Sequence, residues 1–131
     1  MSEAAALSEE LQPRYTIGEV VERTGLSAHT LRWYERIGLL DRPARSHHGQ
    51  RRFCEADLGW LAFLGNLRAT GMPVAGMLRY AELVRAGNGT REQRRALLVE
   101  HREEVLARIR DLQANLLALD YKIDLYGKRQ D

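Results

Sequence analysis

The chain has 131 residues, of which 44% are apolar and 29% charged. That is an ordinary balance for one folded domain, or one domain with an appendage, and leaves little interior for a substrate cavity. Twenty Lys and Arg face 18 Asp and Glu, a formal charge of +2 that says little until its distribution is known. The lone Cys54 excludes an intramolecular disulfide and fits a reducing compartment. No apolar run approaches the ~18 residues of a membrane span, and the N-terminus lacks the basic start and apolar core of a signal peptide. Secreted, disulfide-stapled and membrane-spanning classes are excluded, and a cytoplasmic, nucleoid-associated location is expected.

Residues 1–13, Ala- and Glu-rich and closed by Pro13, read as a mobile tail, with order beginning at Arg14-Tyr15. Thr16-Ile17-Gly18-Glu19 has the form of a capping box at a helix start. Ile17, Val20 and Val21 follow on one face, and Gly25 is placed to end the helix in a left-handed conformation. Ser27 caps a second helix carrying Leu31, Tyr34 and Ile37, which stops at Gly38. Two short helices joined by Thr24-Gly25-Leu26 make a helix-turn-helix.

Asp41 to Phe53, with Pro43 and the turn-like Ser46-His47-His48-Gly49, reads as a small β-hairpin with basic flanks. A third helix is expected over Glu55–Thr70, with Leu58, Leu61, Leu64 and Leu67 near one face and Gly71 ending it. Pro73 suits the first turn of a fourth helix, which carries Val74, Met77, Leu78 and Leu83 and closes at Gly87.

Gly87-Asn88-Gly89 reads as a flexible joint, and Thr90-Arg91-Glu92-Gln93 as another capping box. From there to Gly127 neither Gly nor Pro occurs. Val105, Ile109, Leu112, Leu116, Leu119, Ile123 and Tyr126 alternate steps of four and three, the a/d seam of a coiled coil. Leu98 extends the seam backwards, with Arg102 as its one break. One helix of this length would run roughly 55 Å, farther than so small a core can cover. A strict 3.5-residue repeat signals supercoiling, so the seam needs a partner, and a second copy of the chain is the simplest one.

Between Arg14 and Phe53 eight arginines (14, 23, 32, 36, 42, 45, 51 and 52) face four acids, a surplus of four, with three histidines besides. The rest of the chain is near balance. All eight bases are Arg, whose planar fork suits phosphate oxygens and guanine edges. The domains then read as a disordered tail at 1–13, a winged helix-turn-helix at 14–86 and a dimerising coiled-coil helix at 90–127. Such a mostly α architecture is that of a DNA reader, with its second helix in the major groove and the hairpin along the backbone.

Several motifs in order carry a resemblance: Tyr15-Thr16-Ile17-Gly18-Glu19-Val20, Thr24-Gly25-Leu26-Ser27, Thr30 to Leu40, Gly49-Gln50-Arg51-Arg52-Phe53, and Leu67-Arg68 with Thr70-Gly71-Met72-Pro73. Together they closely resemble MerR-family transcriptional regulators over nearly the whole chain. The resemblance implies a homodimer joined by an antiparallel coiled coil and bound to palindromic, double-stranded promoter DNA. It also implies a regulator that bends and untwists an overlong spacer so that RNA polymerase engages both promoter elements.

Carried over by position, Arg32 and Tyr34, with His29 and Arg36 on the same helix, face the operator. Arg51 and Arg52 are wing residues on phosphates, and Thr16 lies where a helix N-terminus approaches the backbone. Gln50 departs from the usual wing aromatic and Trp33 from the more common Tyr, so Trp33 is open to a core or a DNA-facing place.

Many relatives carry a C-terminal ligand-binding domain, for which no room is expected here, and metal-sensing relatives use paired cysteines, which this sequence lacks. No metal and no cofactor are expected. His101 beside Glu100 and Glu104 reads as a solvated residue, and adjacent His47 and His48 as phosphate- or solvent-facing.

Cys54 stands at the N-cap of the third helix, where the family more often has Ser or Thr. The positive helix end and Arg51-Arg52 are expected to lower its pKa from about 8.5, with Glu55 and Asp57 acting against them. A single cysteine here, with Leu119-Asp120-Tyr121-Lys122-Ile123, resembles the aldehyde- and thiol-stress-responsive (NmlR- and AdhR-like) subgroup. That resemblance implies a switch triggered by electrophile modification of Cys54. Two alternatives stay open: a regulator in which Cys54 is structural only, and a Cys54-dependent enzyme.

Overall fold

The computed structural model describes residues 9–41, 44–45 and 51–128, with backbone alone at Ala44, Arg45 and Arg51. The first helix, α1 (Ile17–Thr24), begins at a reciprocal cap. The Glu19 N–H donates to the Thr16 hydroxyl at 3.2 Å while the Thr16 N–H donates to the Glu19 carboxylate at 3.2 Å. Two amides that a helix start leaves unsatisfied are thereby bonded. The helix ends at Gly25, whose φ of 75° is open to glycine at little cost. Ser27 then caps α2 (Ala28–Ile37), accepting the Thr30 N–H at 3.0 Å, and Gly38 stops it at φ 91°.

Beyond α2 the chain forms the wing. Strands β1 (Ala44–Arg45) and β2 (Arg51–Arg52) pair antiparallel, Ala44 opposite Arg52 and Arg45 opposite Arg51. The expected turn, with His47 and His48, lies outside the described residues. Phe53 continues the return strand into an antiparallel bridge with Tyr15. The Phe53 N–H donates to the Tyr15 carbonyl at 2.7 Å and the Phe53 carbonyl accepts the Arg14 and Tyr15 N–H groups at 2.9 Å. The wing is thus tied to the segment that leads into α1.

Helix α3 (Glu55–Ala69) buries Leu61, Leu64 and Leu67, with Leu58 half-buried, and α4 (Val74–Arg85) buries Met77, Ala81 and Leu83. Val74, one of the apolar residues expected on this helix, is 39% exposed, because the first turn of α4 faces outward. The core of this part is Val20, Leu31, Tyr34, Leu39, Phe53, Leu61, Leu64, Leu67 and Met77. Each large apolar member contributes about 1.5–3 kcal/mol by leaving water. Trp60 closes one edge, its indole N–H donating to the Leu39 carbonyl at 2.6 Å and its ring stacked on Tyr80 at 5.8 Å.

The chain divides into two compact units, Met1–Arg85 and Ala86–Asp131. The second consists of a 3-10 turn (Asn88–Thr90) and α5 (Arg91–Gly127), 37 residues without interruption. The capping box expected at Thr90 does not form. Its hydroxyl donates back to the Gly87 carbonyl at 2.8 Å, so it closes the 3-10 turn and caps no amide of α5. No helix of the described residues is long and apolar enough to cross a membrane.

Candidate nucleic-acid interface

The second helix of the helix-turn-helix divides cleanly. Leu31 and Tyr34 are buried, while His29, Arg32 and Arg36 are exposed at spacings of three and four, which places them along one outer ridge. The burial of Leu31 and Tyr34 against the rest of the unit fixes the rotation of α2, and that rotation presents the ridge. Two cations and an imidazole on an exposed recognition-type helix form the donor set that major-groove base edges and flanking phosphates accept.

One expected DNA-facing residue is corrected. Tyr34 is 1% exposed, and its hydroxyl accepts an N–H of Arg68 at 3.4 Å. Its spacing from Leu31 puts it on the core face of α2, opposite Arg32, so it holds the helix in place and has no surface for a duplex. Trp33 is half-buried and tilted against Tyr34 at 5.5 Å.

The start of α1 and the base of the wing form a second charged surface. Thr16 is half-buried with its hydroxyl committed to Glu19, and the N-terminus of α1 opens beside it. The Thr16 backbone N–H and hydroxyl hold the Glu19 carboxyl below its usual range, with Arg23 and Arg52 adding to the effect. Arg52 therefore belongs to the electrostatic surroundings of α1. Arg51 has only its backbone described. Arg23, not singled out from the sequence, lies 4.7 Å over the Tyr15 ring, and the Tyr15 hydroxyl donates to Glu55 at 2.6 Å. The Tyr15–Glu55 bond joins residues 40 apart, a separation at which no local pattern signals a pairing.

Cys54 occupies the N-cap of α3, as expected. The well-formed half of its cap is the Asp57 carboxylate, which accepts the Cys54 N–H at 2.9 Å, whereas sulfur is a weak acceptor. The expected depression of its pKa is overturned. Burial pushes the thiol above its ordinary range and the Asp57 carboxylate adds to the rise, against the amides of Asp57 and Ala56 that favour thiolate. The helix end acts as foreseen but desolvation outweighs it. Cys54 lines a cavity of about 270 Å³ with Leu40, Trp60, Ala81 and Val84, and with Asp41 and Arg85 paired at 3.0 Å.

On α5 the seam residues Ile109, Leu112, Leu116, Leu119, Ile123 and Tyr126 are 44–80% exposed, and Val105 is half-buried. His101, expected to be solvated, is 8% exposed. No cluster of three or more metal-ligating side chains occurs among the described residues.

Comparison with known proteins extends these observations. Residues 15–83 match the model described as MerR HTH family regulatory protein, and residues 58–121 the one described as MerR, DNA binding. An uncharacterized HTH-type transcriptional regulator of Haemophilus influenzae is 39% identical over 114 residues, covering 87% of this chain and 84% of that protein. The regulator AdhR of Bacillus subtilis is 33% identical over 90 residues, covering 69% of this chain and 64% of its own. Among solved structures, HiNmlR, a MerR family regulator lacking the sensor domain and bound to promoter DNA, superposes with a TM-score of 0.78 at 38% identity. The match covers 86% of this chain and 89% of that one.

Proposed function

Because this chain belongs to the MerR family of DNA-binding transcription regulators, on the NmlR/AdhR-like side of it, we propose that it binds a palindromic promoter as a homodimer and switches transcription by distorting the DNA. The family is one of regulators and not of enzymes, which removes the enzymatic alternative for Cys54. The observation that carries the proposal is the exposed ridge of His29, Arg32 and Arg36 on α2, braced from behind by Tyr34.

In this reading α2 enters the major groove, while Arg51, Arg52 and the amides at the start of α1 grip phosphates on either side. The apolar seam of α5 supports the dimer. HiNmlR, described as bound to promoter DNA, supports the target. A dimer holds two recognition helices at a fixed separation, so a change in that separation bends or untwists the intervening base pairs, and RNA polymerase then engages both promoter elements. The protein acts in the cytoplasm, on the nucleoid.

The trigger is placed at Cys54. A small aldehyde adds to the sulfur: the S–C bond forms and the thiol proton passes to the carbonyl oxygen. The adduct crowds the junction of β2 and α3, next to Arg52. The raised pKa makes this addition slow at neutral pH, since the thiolate is the nucleophile.

Fluorescence anisotropy of a labelled promoter duplex tests the DNA reading. Affinity should fall steeply with salt, and Arg52→Ala should lower the magnitude of the log–log slope by roughly 0.9 per protomer for the lost phosphate contact. Binding independent of salt would overturn the proposal.

A further inference from the structure

The segment that leads into α1 is fastened on both sides of Cys54. Arg14 and Tyr15 each donate a backbone N–H to the Phe53 carbonyl at 2.9 Å, and the Tyr15 hydroxyl donates to the Glu55 carboxylate at 2.6 Å. Phe53 and Glu55 are the chain neighbours of Cys54. The residues just before Arg14 therefore start beside the cysteine. Three residues of extended chain span at most about 10 Å, and Pro13 fixes one of the dihedrals that set their direction. The Gln12 N–H donates to the Glu9 carbonyl at 3.2 Å, which turns this short segment back on itself.

The turn carries Leu11 to the cavity of about 270 Å³ that Cys54 lines with Leu40, Trp60 and Val84. All of these residues belong to the first compact unit. Leu40 is buried and Trp60 and Val84 are half-buried, whereas Leu11 is 65% exposed. An apolar side chain that walls an apolar cavity and yet stands mostly in water is a cover at its mouth and no member of the core. We infer that residues 9–13 form a strap whose Leu11 side chain closes the cavity at Cys54, and that reagents reach the thiol when the strap swings aside on the hinge formed by Arg14 and Tyr15. The inference rests on the reading of Cys54 as the trigger and adds how access to it is controlled.

The exposure sets how tightly the strap closes. About a third of the Leu11 surface is out of water, and at the usual gain for burying a leucine this favours the closed position about threefold. Closure is weak, so the open form is always present and a reagent waits for an opening, never for unfolding of the unit. Terminal segments move in nanoseconds to microseconds, far faster than a thiol is alkylated. The alkylation rate therefore reads the open fraction. With three closed molecules to each open one, full opening raises that rate about fourfold. An adduct on the sulfur fills part of the cavity, and the strap then stays displaced.

Two measurements on the full chain test this. The first is the rate of Cys54 alkylation by iodoacetamide against pH, in the parent and in Leu11→Ser. The plateau at high pH, where the thiol is fully ionised, reads access alone. Leu11→Ser should raise that plateau about fourfold. A plateau within about 1.5-fold of the parent, with or without a shift in the midpoint of the profile, overturns the inference, since Leu11 would then cover nothing. The second measurement locates the strap. In Leu11→Cys, oxidation by diamide should join the new thiol to Cys54 within one chain, read by mass under denaturing conditions. No disulfide, or a crosslinked pair of chains in its place, overturns the inference. Promoter anisotropy with and without aldehyde, on the parent and Leu11→Ser, reads the trigger separately. An absent response in both refutes Cys54 as the trigger, while the plateau and the crosslink still decide the strap.

Discussion

Tyr34 and Arg32 lie two residues apart on the same helix, and opposite consequences are expected from changing them. Tyr34 is 1% exposed and Arg32 is exposed. Tyr34→Phe removes one hydroxyl whose partner, Arg68, is 3.4 Å away. A bond that long lies at the low end of the usual range, so the expected cost is about 0.5 kcal/mol. For a unit of this size that is a fall in Tm of roughly 2–4 °C, with affinity for the duplex unchanged. Tyr34→Ala empties a ring-sized space between α2 and α3 and should cost about 3–5 kcal/mol, enough to unfold much of the population.

Arg32→Ala should reverse the pattern, leaving Tm within about 1 °C and weakening promoter binding by about 1–3 kcal/mol, roughly 5- to 150-fold. Thermal unfolding at fixed protein concentration and anisotropy on one duplex supply both numbers; fixed concentration matters because a dimer's Tm depends on it. If Tyr34→Phe lost tenfold in affinity with Tm intact, the tyrosine would be touching DNA and the burial argument would fail.

Two glycines give a paired test. Gly38→Ala at φ 91° should destabilise by about 1–2 kcal/mol through backbone strain alone, since the nearest atom to an added Cβ is Arg85 Nη1 at 4.0 Å; Gly65→Ala, in a helix with nothing within 4 Å, should stabilise by about 0.5–1 kcal/mol. Urea midpoints distinguish the signs. Alkylation of Cys54 should be slow at pH 7 and rise only above the ordinary thiol range, and the matching stability term has a fixed sign. A thiol whose folded pKa is raised favours the fold below the unfolded pKa and loses that contribution as pH climbs through the folded value; a rate plateau already reached at neutral pH would refute the burial effect. Cys54→Ser should keep the fold, because the Asp57 half of the cap remains and serine accepts a hydrogen bond better than sulfur, and should abolish any aldehyde response of promoter binding.

Much of this protein is local chemistry and was legible as such. Thr16 with Glu19, Ser27, Gly25 and Gly38 set the ends of α1 and α2 by interactions within one turn, and the same residues determine those ends whatever surrounds them. The seam of α5 is likewise a periodicity, independent of long-range contact, and the arginine surplus between residues 14 and 53 is simple counting. The motif order resembling a MerR regulator pointed to the family that comparison with known proteins establishes.

Tertiary structure decided the matters that depend on which surfaces meet. The face of α2 holding Leu31 and Tyr34 was settled only in the folded unit, where both side chains are buried and Arg68 of α3 reaches the Tyr34 hydroxyl, and that assignment moved Tyr34 away from the DNA. Thr90 has the sequence of a cap, yet its hydroxyl bonds the Gly87 carbonyl three residues back in a 3-10 turn, a competing local partner that the capping pattern does not reveal. Cys54 shows the principle most plainly. Its place at a helix start is read from sequence and favours thiolate through the Asp57 and Ala56 amides, but desolvation depends on how closely the rest of the unit packs around the sulfur, and that burial reverses the sign. Local pattern therefore fixed where the elements begin, end and turn, while packing, a sum over distant residues, fixed which side chains face water and hence which can act.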